Sequence, residues 1–291
     1  MVSEFEAQVR ATNEKINART GRPLAMALTV GLALGLSLLF SLIFVKELYM
    51  LFAGVLVAFT AFELASALRF AGLNIPRLPT VIAAVAVVPA SFYWLAEGQW
   101  FVTLGGIAFV SLWRLVELVR PSHRGSARSV LRDLGAGVFV MLYIAFLASF
   151  TVVLTAQDGG QWWTLAFLIV VVVSDIGAYA SGLSFGKHPM APTISPNKTW
   201  EGFAGAAAAS IIAGVLLAIF MLSQPAWVGI VFGLVILGTA TMGDLAESLI
   251  KRDLGIKDIS TWLPGHGGFL DRVDSSLMSA AAGYALFLVF T

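Results

Sequence analysis

Ionisable side chains crowd the segment between Asp244 and Asp274, where eleven residues are charged or histidine. In a helix, Asp244, Ser248 and Lys251 share one face because their spacing is i, i+4 and i+7. Asp271 and Asp274 share a face in the same way at the start of the next apolar stretch. The helix that carries Asp244 would end, and the helix that carries Asp271 would begin, on the same side of the protein. We therefore expect Asp244 and Asp271 to converge, with Asp274 beside them.

Paired carboxylates ringed by cations are suited to binding a metal ion and phosphate groups. Mg²⁺ is usually held by one or two carboxylates and fills its shell with water and substrate phosphates. Lysine and arginine neutralise phosphate charge, and glycines before a helix let backbone N–H groups approach a phosphate. The residues that supply these features are Lys251, Arg252, His266, Gly267, Gly268 and Arg272.

A second polar cluster begins at Asp175, within another apolar stretch. The connection after it carries Lys187, Ser195, Lys198 and Thr199 together with three prolines. Prolines keep such a connection from being helical. Two lysines on a stiff connection suit the phosphates of a nucleotide, whereas Ser195 or Thr199 could simply cap the helix that follows.

Composition shows what kind of protein must position these residues. The chain has 291 residues, of which 58% are hydrophobic and 12% charged, and a mean hydropathy of +0.88. Ordinary soluble domains carry about 25% charged residues, so a water-soluble globule is excluded. The absence of cysteine excludes disulfides and thiolate metal sites. With 18 basic and 17 acidic residues, nothing in the total suggests binding to nucleic acid.

Apolar segments of about 20 residues recur along the chain, each long enough to cross a bilayer as a helix. We predict an all-α polytopic membrane protein with about nine transmembrane helices. The predicted spans are 24–45, 48–68, 78–96, 100–118, 134–155, 162–184, 203–222, 226–248 and 269–290.

The distribution of basic residues predicts the orientation. With the N-terminus in the cytoplasm, 16 of the 18 lysines and arginines lie on the cytoplasmic side, as the positive-inside rule requires. Both polar clusters then face the cytoplasm. We divide the chain into a cytoplasmic segment 1–22, about five N-terminal helices over 23–160, and a catalytic region with about four helices over 161–291.

Ionisable residues inside apolar spans are costly and are candidate site residues. Arg114 and Glu117, three residues apart on one face, are expected to pair with each other. We expect a structural role for Glu63, near the end of its span. Asp175 and Asp244 stand beside polar groups that a structural role does not need.

The polar residues follow an order that resembles a known family. The C-terminal stretch reads Ser248, Lys251-Arg252, Lys257-Asp258 and Pro264-x-His266-Gly267-Gly268-x-x-Asp271-Arg272-x-Asp274. The upstream stretch reads Asp175-x-x-Ala178-Tyr179, Phe185-Gly186-Lys187 and Ser195-Pro196-x-Lys198-Thr199-x-Glu201-Gly202. Both resemble the signature of CDP-diacylglycerol synthases, also called phosphatidate cytidylyltransferases. The motifs cover roughly the last 120 residues of the chain.

The resemblance implies that CTP and phosphatidic acid react to CDP-diacylglycerol and pyrophosphate with Mg²⁺. On this basis Asp244 and Asp271 are expected to hold the metal, with Asp175 and Asp274 as weaker candidates. The number of metal ions, and whether a monovalent cation also binds, remains open. Phosphate contacts are expected from Lys198, Lys251, Arg252 and Arg272, and the other substrate-binding residues are Lys187, Ser195, Thr199, Ser248, His266, Gly267 and Gly268. The resemblance also implies a homodimer in a bacterial inner membrane.

Two other functions remain open at this point. A CTP-dependent kinase of polyprenol or phytol-type alcohols would transfer the γ-phosphoryl group and release CDP. A cation-coupled transporter would carry acidic groups near the bilayer midplane and a pair of broken helices. The crowding of ionisable residues on one face argues against the transporter.

Overall fold

The computed structural model describes residues 24–260, Trp262 and 267–291. This part of the chain is a bundle of long helices with one short β-hairpin, which confirms the predicted all-α membrane fold. The predicted cytoplasmic segment 1–22 and His266 lie outside the described residues.

The helices follow one another with short connections. They are α1 (Leu24–Phe44), α2 (Lys46–Phe70), α3 (Arg77–Glu117), α4 (Ala127–Val140), α5 (Leu147–Ala156), α6 (Gly160–Phe185), α7 (Trp200–Phe220), α8 (Ala226–Asp253) and α9 (Leu270–Phe290). A 3₁₀ turn, Pro121–His123, precedes α4, and a π-helical stretch, Met141–Phe146, joins α4 to α5.

The longest helix, α3, reverses direction near its middle. Its backbone leaves the helical region at Leu95, with φ 51° and ψ −136°. A Cβ added to Gly106 would lie 3.3 Å from the Cβ of Ala83. In a straight helix these two residues would be roughly 34 Å apart, so α3 is a hairpin of two antiparallel arms.

Among the described residues, seven helices are long and apolar enough to cross a membrane. They are α2, α3, the run from α4 to α5, and α6 to α9. Two predicted spans, 78–96 and 100–118, are the two arms of α3, and the described apolar part of α1 is the shorter stretch Gly31–Phe44. These two features account for the difference between seven helices and the predicted nine spans.

The connection between α6 and α7 forms an antiparallel hairpin of β1 (Pro189–Ala191) and β2 (Ser195–Thr199). Pro189 pairs with Thr199 and Ala191 with Ser195, with an irregularity in register between the two pairs. The prolines exclude a helix here, as predicted from the sequence.

Helices α6, α7, α8 and α9 pack closely because glycines lie at their crossings. A Cβ on Gly214 of α7 would collide with the carbonyl oxygen of Gly229 of α8. A Cβ on Gly243 of α8 would lie 2.5 Å from the carbonyl oxygen of Asp274 of α9. The second crossing places the helix turn that carries Asp244 directly against the start of α9.

Candidate active site

An open cleft of about 350 Å³ lies between α6, β2, α7 and α8. Asp175 and Tyr179 reach it from α6, Lys198 from β2 and Asp244 from α8. The floor is apolar and includes Phe203 and other residues of α7 and α8. Asp244, from the first predicted polar cluster, therefore meets Asp175 and Lys198, from the second, in one cavity.

Lys198 and Asp244 form an ion pair across this cleft, with 2.6 Å between Nζ and Oδ2. The Oγ of Ser248 donates a hydrogen bond of 3.3 Å to the other carboxylate oxygen of Asp244. Lys198 is held in place because the next residue, Thr199, caps α7 by accepting a hydrogen bond of 3.1 Å from the backbone N–H of Gly202.

Three aspartates from three helices share this region. Asp175 lies on α6, Asp244 on α8 and Asp274 on α9, and each carboxylate lies in the electrostatic field of the others. The positive charges of Lys198 and Arg272, in contrast, attract the carboxylate of Asp175. Three negative charges drawn together at helix crossings repel one another, so the arrangement favours a bound cation.

A second polar group, the Lys251 cluster, lies beside the cleft and consists of Glu247, Lys251, Gly268 and Asp271. The ammonium of Lys251 contacts Glu247 at 2.5 Å and Asp271 at 2.9 Å. The backbone N–H of Gly268 donates a hydrogen bond of 2.7 Å to the second carboxylate oxygen of Asp271. Both oxygens of Asp271 thus have protein partners, and only 1% of the Glu247 side chain is exposed.

The start of α9 is capped by a carboxylate from the distant helix α2. Glu63 accepts hydrogen bonds from the backbone N–H groups of Phe269, at 3.0 Å, and Leu270, at 2.9 Å, and from the hydroxyl of Ser260. The structural role predicted for Glu63 is confirmed. Sequence reasoning missed its partners, because nothing in the local sequence indicates a contact across about 200 residues.

The remaining predicted site residues lie outside the lining of the cleft. The Nε of Arg252 donates a hydrogen bond of 3.2 Å to the carbonyl oxygen of Ile194, which ties the end of α8 to the β-hairpin. Lys187 is exposed, and its backbone N–H donates to Glu201. Ser195 is half-buried on β2. Gly267, with φ of 81°, adopts a conformation that favours glycine.

Arg114 pairs with a different carboxylate from the one expected. It lies 2.7 Å from Asp133 of α4 in a buried ion pair. Glu117 instead accepts a hydrogen bond of 3.2 Å from the indole N–H of Trp113. The predicted pairing of Arg114 with Glu117 is wrong, because α4 packs against this arm of α3 and presents a nearer carboxylate.

Comparison with known proteins decides the family. Residues 26–290 match the cytidylyltransferase family. The chain belongs to this family.

Relatives of this cytidylyltransferase include enzymes named phosphatidate cytidylyltransferase from three bacteria. The one from Mycobacterium bovis is 39% identical over 273 residues, which cover 92% of this chain and 89% of the relative. The one from Mycobacterium leprae is 36% identical, over 94% of this chain and 90% of the relative. A Brucella suis relative is 41% identical over 53% of this chain and 57% of its own length.

The cytidylyltransferase cleft offers carboxylates for a metal ion without forming a closed cage. Within the described part of the chain, no group of three or more His, Asp or Glu side chains is already placed to hold a metal. Mg²⁺ needs only one or two protein carboxylates, because water and substrate phosphates complete its shell. Asp175 and Asp244 fit this requirement, since they line one cavity from different helices. Asp274 of α9 does not line the cavity but lies close enough for its charge to interact with both of them.

Proposed function

We propose that this cytidylyltransferase makes CDP-diacylglycerol from CTP and phosphatidic acid. An oxygen of the lipid phosphate attacks the α-phosphorus of CTP. The bond from this phosphorus to the oxygen bridging the α- and β-phosphates breaks, and pyrophosphate leaves. The observation that carries the proposal is the cleft in which Lys198 meets Asp175 and Asp244, in a membrane protein whose relatives are named phosphatidate cytidylyltransferases.

The reaction requires positioning and charge neutralisation more than a general base. A phosphate monoester has a second pKa near 6 and is largely dianionic at neutral pH, so the attacking oxygen needs little activation. Transfer then depends on in-line placement and on stabilising the leaving pyrophosphate. We assign phosphate contacts to Lys198 at the cleft and to Lys251, which lies seven residues after Asp244 on α8.

We assign the metal to Asp244 together with Asp175 and Asp274. Bound Mg²⁺ would neutralise phosphate charge and polarise the phosphorus–oxygen bonds. Asp271, the other predicted ligand, bonds Lys251 and also accepts from the backbone N–H of Gly268 just before α9. Within the described part of the chain, the carboxylate of Asp244 contacts only the side chains of Lys198 and Ser248, which can turn away from it. The role of Asp271 in this proposal is to hold Lys251 and the turn at Gly268 in position.

The proposal includes a location and an assembly. The named relatives come from bacteria, and the distribution of basic residues favours a cleft that opens to the cytoplasm, where CTP is found. We therefore place the protein in the bacterial inner membrane with its active site facing the cytoplasm, and we propose a homodimer. Both points can be tested by labelling in intact cells and by the mass of the detergent-solubilised protein.

A radiolabel experiment tests the reaction. Purified protein in detergent is incubated with phosphatidic acid, Mg²⁺ and CTP labelled at the α-phosphorus. We expect equal label in the lipid phase from wild type and from Asp253→Asn, which changes an exposed aspartate at the end of α8, and about 100-fold less from Asp244→Asn. A folded wild-type protein that leaves the lipid unlabelled would overturn the proposal. Transfer of a γ-label to a polyprenol would identify the kinase instead.

A further inference from the structure

A second cleft, also about 350 Å³ in volume, lies at the end of the bundle where α2 ends and α3 begins and ends. Its polar lining consists of three arginines and one glutamate, and the rest is Trp113, two prolines and aliphatic side chains. The charged residues are Arg69, Arg77, Arg120 and Glu117. None of these residues lines the active-site cleft.

The three arginines give the second cleft a net positive charge. Arg69 donates one hydrogen bond of 2.8 Å, to the carbonyl oxygen of Ile75, and its other N–H groups remain for a ligand. Arg77 stacks over the ring of Phe62, with 5.5 Å from Cζ to the ring centroid, and Arg120 is exposed. Arg77 also begins α3, whose first backbone N–H groups lack helical partners.

Glu117 adds a requirement for a hydrogen-bond donor. One of its carboxylate oxygens accepts from Trp113, whereas the other, Oε2, is buried and has no hydrogen-bond partner within the described structure. A ligand here should therefore combine a phosphate for the arginines with a donor group for Glu117.

The surroundings of the cleft indicate that such a ligand comes from the bilayer. Leu78 and Val116 line the cleft and are 69% and 61% exposed, near the two ends of α3, a helix that is long and apolar enough to cross a membrane. Trp113 is partly exposed at the same level, as is typical of tryptophan at a membrane–water interface. Basic pockets between helices at this level bind anionic lipid head groups.

We propose that this cleft binds the head group of a membrane phospholipid that is not the reacting substrate. The phosphate lies among Arg69, Arg77 and Arg120, and a hydroxyl or ammonium of the head group donates to Glu117. The second cleft is linked to the connection between α8 and α9, because Phe62 lies under Arg77 and stacks on Trp262 with ring centroids 5.4 Å apart.

Native mass spectrometry of the detergent-solubilised full chain tests the site. The protein is incubated with dioleoyl phosphatidylglycerol, with dioleoyl phosphatidylcholine, which has no donor in its head group, or with inorganic phosphate. The test variant is Arg77→Gln/Arg120→Gln. The matched control is Arg128→Gln/Arg132→Gln, which removes two exposed arginines of α4 outside the cleft.

We expect wild type and the control to retain one phosphatidylglycerol molecule more than the test variant. The occupancy of this additional lipid-bound state should differ at least several-fold. Phosphatidylcholine should be retained poorly by all three proteins, and inorganic phosphate should not displace the lipid. Equal retention of phosphatidylglycerol by the two double variants would overturn the site. Strong retention of phosphatidylcholine would overturn the role of Glu117. Cytidylyl transfer by the same samples keeps these outcomes separate from failure of the proposed reaction.

Discussion

The carboxylate of Glu63 accepts a hydrogen bond of 2.9 Å from the backbone N–H of Leu270, the first residue of α9. Asp271 and Asp274 follow within one turn, so their position relative to Asp244 depends on a side chain from α2. The N-terminal helices thus take part in building a cleft whose own residues all come from the C-terminal half of the chain.

Replacement of Glu63 by alanine should lower both stability and activity. The buried backbone N–H of Leu270, the partly buried N–H of Phe269 and the Ser260 hydroxyl would lose their acceptor. One unsatisfied buried donor costs about 1–3 kcal/mol. Thermal unfolding in detergent and lipid labelling measure the two effects. Glu97→Ala, which removes an exposed glutamate at the turn of α3, is the control. An unchanged melting temperature for Glu63→Ala would contradict the capping role.

Asp244→Asn and Asp271→Asn should differ in their dependence on magnesium. Loss of a metal ligand should reduce activity by about 100-fold and raise the Mg²⁺ concentration needed for half-maximal rate. Asp271→Asn should reduce the rate and the stability and leave that concentration unchanged, because Asp271 holds Lys251. Titration of Mg²⁺ after removal of bound metal with a chelator checks both. An equal increase in the Mg²⁺ concentration needed for half-maximal rate in both variants would show that Asp271 is also a metal ligand.

Lys251 holds two carboxylates, and its loss should be costly. Lys251→Met would leave Glu247 and Asp271 without their cation, and breaking a buried ion pair costs about 3–5 kcal/mol. The double variant Lys251→Met/Glu247→Leu removes one of the two carboxylates and should regain much of the lost stability. It should stay inactive if Lys251 contacts phosphate. Recovery of lipid labelling in the double variant would show that Lys251 is only structural.

The crossing of α8 and α9 should not tolerate a methyl group. Gly243→Ala would force a Cβ to within 2.5 Å of the Asp274 carbonyl oxygen, and overpacking of this kind costs about 1–3 kcal/mol. Separation of the helices would also move Asp244 away from Asp274, so activity should fall with stability. Gly238→Ala is a matched control on the same helix, because a Cβ there meets no atom within 4 Å. Equal stability and equal activity of the two variants would contradict close packing at this crossing.

Features that depend on local sequence were the ones that could be predicted. Apolar length identified the spans. The expectation that one helix ends and the next begins on the same side brought Asp274 close to Asp244, although the pair expected to converge was Asp244 with Asp271. Contacts between helices could not be predicted in the same way. Arg114 has a same-face neighbour in Glu117, yet it pairs with Asp133, because partner choice depends on how two helices cross. The partnership of Lys251 with Glu247 was missed for a different reason. The two residues are four apart on α8, a spacing that is visible in the sequence, but Glu247 was not distinguished from other embedded carboxylates.

The reversal of α3 at Leu95 affects how the protein enters the bilayer during its synthesis. Both ends of α3 lie on one side, so only the tip around Leu95 has to cross the hydrocarbon layer. Within the helix, Glu97 is the one charged residue near that tip. Translocating a single carboxylate is far less costly than translocating a charged loop. The two arms can therefore insert together as one unit, already packed against each other, before the helices that form the cleft have been made.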